Sequence, residues 1–126
     1  VEVKYLLESM STGTHCLTTL HTDDVRKIPD RIKNMMPTIN EQTENDIYSF
    51  INVGIQVRSY ITDEGVQRKI AQIALFSRDL MTGKNTMTML YNEGAYGDDP
   101  FPDEILWKFA SAGIDPRKNY PGVLTR

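Results

Sequence analysis

Thr12 to Asp24 reads T-G-T-H-C-L-T-T-L-H-T-D-D, and the segments on either side take their meaning from it. Gly13 permits a tight turn or a close backbone approach. Cys16, Leu17, Thr18, Thr19 and Leu20 predict a short strand. Thr22, Asp23 and Asp24 are N-cap candidates for whatever follows. His15 and His21 are six residues apart and are the only histidines in the chain. On one extended run the period of two turns both to the same side.

Before this stretch, Val3, Leu6, Leu7 and Met10 recur at helical spacing, and Ser11, Thr12 and Gly13 end the run. After it, Val25, Ile28, Ile32 and Met35 or Met36 form a helical stripe stopped by Pro37. Pro29 either kinks that helix or marks its true first turn, with a looser turn ahead of it. A second short helix is predicted from Thr43 to Ile51, with Thr43 as its cap and Ile47, Phe50 and Ile51 on one side. The period then changes to two. Val53, Ile55, Val57, Ser59 and Ile61 alternate with Gly54, Gln56, Arg58 and Tyr60, which predicts a half-buried strand. A turn at residues 62–65, a strand from Val66 to Phe76, a turn at residues 82–85 and a strand from Thr86 to Tyr91 complete a meander. Residues 92–102 read as a loop. A closing helix follows, with Pro102 near its start, Asp103 and Glu104 in its first turn, and Gly113-Ile114 as a Schellman ending.

Several of these segments resemble the secretion ATPases of type II and type IV secretion and pilus assembly, and the CpaF-like branch most of all. Thr12, Gly13 and His15, then Leu17, Thr18, Thr19, Leu20, His21 and Thr22, match its histidine box; Thr14 departs by separating Gly13 from His15. Glu2, Leu6, Leu7, Glu8, Ser9 and Met10 match the helix that follows the family's Walker B strand. Ile55, Gln56, Val57, Glu64, Gly65, Arg68, Ile70 and Ile73 match its hairpin, and Phe109 to Arg117 its closing segment.

The resemblance implies an α/β fold. It would be the C-terminal half of a RecA-like P-loop NTPase domain, with a short helix pair, an antiparallel β-meander and a closing helix. Residues 1–117 would form that portion, the Walker B residues would lie just before Val1, and residues 118–126 would be a mobile tail. By position, His21 and His15 are the expected catalytic-site histidines, and Thr19 and His21 the expected sensors of nucleotide state. ATP and magnesium are the implied cofactors of the intact protein, with none expected for this chain alone. The implied partners are further copies in a hexameric ring and inner-membrane platform proteins. The implied location is cytoplasmic, or peripheral on the inner face of the membrane. Arg26, Arg31, Arg58 and Arg68 are candidates for reaching a neighbouring subunit's nucleotide. Their plainer reading is solvated surface charge.

Other chemistry finds little support. A phosphate loop needs G-x-x-x-x-G-K-[ST], whose backbone N–H groups wrap the phosphates. At Gly83-Lys84-Asn85, Arg78 stands in place of the first glycine and Asn85 in place of the magnesium-binding hydroxyl, so a hairpin turn is expected. His15, Cys16, His21, Asp23 and Asp24 lack the spacing of a metal site. Alternation sends Cys16 away from the histidines, as a small buried hydrophobe. Net charge is −3 with a pI near 5.3, which offers no basic footprint for nucleic acid. One cysteine allows no internal disulfide. A rival reading is a stand-alone, non-catalytic binding or oligomerisation module of the same fold. Either reading predicts an exposed apolar patch near the first helix and the histidine stretch.

Overall fold

The computed structural model describes residues 3–98 and 100–119. It is a mixed α/β arrangement in which an antiparallel four-stranded meander carries helices. Helix α1 (Val3–Ser11) buries Leu7. It ends in a Schellman motif, in which the Gly13 N–H donates to the Met10 carbonyl (3.1 Å) and the Thr14 N–H to the Ser9 carbonyl (3.3 Å). Gly13 has φ +94°, a left-handed value that residues with a Cβ rarely adopt, so its role is to stop α1.

The strand predicted at Cys16 to Leu20 does not form; residues 14–22 are neither helix nor strand. A β-prone sequence satisfies its backbone only beside another strand, and none lies alongside among the described residues. Order returns at Asp24, whose side chain accepts from the Arg26 N–H (2.8 Å) and caps a 3₁₀ turn at Val25–Lys27. Helix α2 (Ile28–Asn34) follows with Pro29 in its first turn, where a missing N–H costs nothing. The looser-turn alternative for Pro29 therefore holds. Helix α3 (Glu41–Phe50) begins earlier than predicted. Its cap is Asn40, and Thr43 is the other half of a capping box: Asn40 Oδ1 accepts from the Thr43 N–H (2.9 Å), and Thr43 Oγ1 from the Asn40 N–H (3.3 Å).

Strands β1 (Val53–Thr62), β2 (Gly65–Arg78), β3 (Asn85–Asn92) and β4 (Ala95–Tyr96) lie in the order β1-β2-β3-β4. The short β4 falls inside the predicted loop. Helix α4 (Asp103–Ser111) lies against β2 and ends as predicted. The Ile114 N–H donates to the Phe109 carbonyl (2.9 Å) and the Gly113 N–H to that of Ala110 (3.0 Å). A last turn, α5, spans Pro116–Asn119. Most of the tail expected to be mobile, from residue 120 on, lies outside the described residues.

Helix α3 packs against α1, α2 and β2. The core joins Leu7, Val25, Ile28, Ile32 and Ile47 to Ala74 and Phe76 of β2. Strand β1 meets this core through Gly54, where an added Cβ would come within 2.5 Å of Ile28 Cδ1 and 3.1 Å of Phe76 Cε2. That close approach fixes which face turns inward. The alternation in β1 is as predicted, and the covered side is the one bearing Gly54, Gln56, Arg58 and Tyr60. Val53, Ile55, Val57 and Ile61 are exposed, joined on β2 by Val66 and Ile70.

Candidate functional site

The histidine stretch is held at both ends and open between them. On its N-terminal side stands the Schellman ending of α1. On its C-terminal side, the polar half of the covered sheet face grips residues 22–25. Gln56 Nε2 donates to the Thr22 carbonyl (3.3 Å) and Arg58 Nη2 to the Asp23 carbonyl (3.0 Å). Gln72, only 2% exposed, accepts from the Val25 N–H (3.0 Å) and donates to Asp24 Oδ2 (3.2 Å) and Asn92 Oδ1 (3.1 Å). Arg26 closes a two-pronged contact on Asp24 through Nε (2.8 Å) and Nη2 (2.6 Å). The Arg26 side chain, with its N–H and Gln72, holds the Asp24 carboxyl well below the usual carboxylate range, against desolvation that acts the other way.

Between these anchors the residues are exposed except Leu20, which is half-buried against the core. Leu17 is 101% exposed and Cys16 is a free, exposed thiol, not the buried hydrophobe expected. Among the described residues, no backbone group of residues 15–21 has a hydrogen-bond partner. The side chains of His15, Thr19 and His21 are likewise without one. The two imidazoles are free to donate or accept toward a phosphate or carboxylate oxygen. No nucleophile–base pair exists here: Cys16 and His15 are neighbours in sequence without a hydrogen bond between them. No three of the described His, Cys, Asp and Glu side chains cluster to hold a metal ion.

The four arginines do not converge. Arg26 is committed to Asp24, and Arg58 forms an ion pair with Glu93, whose carboxylate also accepts from the Tyr60 hydroxyl (2.9 Å). Arg58 lies opposite Lys69, and Ser59 opposite Arg68. Residues opposed across an antiparallel pair share a face, so Arg58 and Arg68 project from opposite faces of the sheet. Arg31 and Arg68 are exposed, with no hydrogen bond or ion pair among the described residues. Gly83-Lys84 forms the β2–β3 turn, as expected, with the Gly83 N–H donating to the Asp79 carbonyl (2.7 Å).

Reading the sequence missed the anchors Gln56, Gln72 and Asn92. Each is an amide on a different strand, and no signal in the sequence says which side of a strand turns inward. Comparisons with models of protein families, with curated proteins and with solved structures yield no match for this chain.

Proposed function

We propose that the chain is the C-terminal part of the motor domain of an ATPase that powers protein secretion or pilus assembly. His21 and Thr19, with His15 next, sense nucleotide state. The observation that carries this reading is the state of residues 15–21. They have the sequence of a strand, yet among the described residues their backbone is unpaired, all their side chains but that of Leu20 are exposed, and both flanks are fixed. Such a segment suits insertion as a strand into a sheet supplied by the remainder of a motor domain, with its histidines facing the nucleotide. The chemistry would be in-line phosphoryl transfer to water, driven by positioning and charge neutralisation. An imidazole contributes a hydrogen bond to a phosphate oxygen or to the catalytic carboxylate without needing to change its charge.

The 126-residue chain has no phosphate loop, and it is expected to show no magnesium-dependent ATP turnover alone. The test is the product of the complete native reading frame. It should carry a glycine-rich phosphate loop upstream and hydrolyse ATP with magnesium, and His21→Ala should lower its kcat about a hundredfold, as loss of a hydrogen bond to transition-state charge does. A native product without such a loop, or full activity in His21→Ala, would overturn the reading.

One observation favours the second reading, a non-catalytic binding or oligomerisation module. The outer face of β1 and β2 exposes six aliphatic side chains, Val53, Ile55, Val57, Ile61, Val66 and Ile70. This face, interrupted by the Ser59–Arg68 pair, is of the kind that marks an interaction surface, as a binding or oligomerisation module needs. Among the described residues, no helix is long and apolar enough to cross a membrane.

A further inference from the structure

The sheet ends differently on its two sides. On one side the edge strand is β4, two residues long, and edges this short resist pairing with other chains. On the other side β1 runs for ten residues, with β2 along one flank only. The Asn52 carbonyl accepts from the Phe76 N–H (2.8 Å), so the backbone groups of Asn52 face β2. By alternation those of Val53, Ile55, Val57, Ser59 and Ile61 point away from β2, and among the described residues none of them has a hydrogen-bond partner. The devices that protect such an edge are missing from it. Strand β1 holds no proline and no lysine. Its one charged side chain, Arg58, turns to the covered side and pairs with Glu93. The extra residue of the β1–β2 bulge, Ala71, belongs to β2.

The side chains narrow the occupant of that edge. Four of the six exposed aliphatic residues of the outer face, Val53, Ile55, Val57 and Ile61, lie on the edge strand itself. Packing two such faces onto one another would bury Arg68, which stands mid-face opposite Ser59, and an unpaired charge is costly to bury. Pairing edge to edge leaves Arg68 in water. The sequence of β1 also suits pairing with itself. In an antiparallel arrangement about a two-fold axis at Val57, Val57 faces the partner's Val57, Val53 the partner's Ile61, and Ile55 the partner's Ser59. Every outward N–H and C=O from Val53 to Ile61 then meets its complement, and outer side chains meet outer side chains. On the covered side Arg58 falls opposite the partner's Gln56, so no like charges are opposed. Two-fold dimers of this self-complementary kind are the commonest assemblies of identical chains.

We propose that β1 is the pairing edge of a two-fold dimer, in which a second copy of this chain adds its own β1 antiparallel and makes one continuous sheet. The dimer rests on the reading of this face as an oligomerisation surface and adds its partner and its mode; residues 15–21 take no part in it. The test is sedimentation equilibrium of the 126-residue chain from low to high micromolar concentration. The mass should rise from 14.4 kDa to twice that value and stop there. Val57→Lys, at a position 58% exposed where folding is not at stake, opposes two like charges at the axis and should weaken dimerisation about tenfold or more. Val57→Glu should do the same. An equimolar mixture of the two variants should recover the dimer, because opposite charges then face each other. Val66→Lys, on the outer face of β2 and away from the seam, should leave the dimer unchanged. A dimer lost in Val66→Lys, or not recovered in the mixture, would overturn the edge pairing while keeping the face as an interface. A monomer at every concentration, or growth beyond the dimer, would overturn both.

Discussion

Asp24 joins the histidine stretch to the sheet. Its carboxylate accepts from the Arg26 side chain and N–H and from Gln72, which lowers its folded pKa below the unfolded value of about 3.9. A depressed carboxyl contributes stability that is present above the unfolded pKa and is lost as pH falls through the folded one. Asp24→Asn keeps the shape and some capping capacity but removes the charge. At pH 7 it is expected to cost about 1 kcal/mol, a modest figure because Arg26 is half exposed and screened. The gap between variant and parent should narrow progressively below about pH 4. Urea melts at pH 7 and pH 3 check this; a gap independent of pH would contradict it. Sequence placed Asp24 among three cap candidates, because capping is local chemistry. It could not reveal Gln72, whose role depends on a contact 47 and 48 residues away in the chain.

At the scale of elements, features set by neighbours in sequence were legible and those set by distant packing were not. The ending of α4 at Gly113-Ile114 and the first-turn place of Pro29 follow from local backbone rules. The β-meander was legible from alternation and turn residues, but alternation gives a period, not the side that is buried. In β1 the buried side is the one bearing Gly54, because Ile28 and Phe76 leave no room for a side chain there. Gly54→Ala must displace the buried Ile28 tip in the core, and overpacking outweighs the gain in strand propensity. A loss of about 1–2 kcal/mol is expected, read as a lower midpoint in denaturant with unchanged slope. An unchanged or raised midpoint would show that β1 does not press on the core as described.

For the whole molecule, the histidine stretch and the aliphatic face of β1 and β2 are left without partners among the described residues. An exposed apolar patch was expected near α1 and the histidine stretch. Tyr5 and Leu17 are exposed there, but the larger share is on the sheet, with Ile61 92% exposed. Cys16 to Leu20 read as a strand in sequence and do not form one, since no strand among the described residues lies beside them. Hydrogen exchange at residues 15–21 tests the central claim most directly, comparing the 126-residue chain with the protein isolated from its native host. In the 126-residue chain these amides, bonded to nothing among the described residues, should exchange at the rate of an unstructured peptide. In the native product they should be strongly protected, because the stretch has become a paired strand. Free exchange of residues 15–21 in the native product as well would contradict the account and leave the histidines on an open loop.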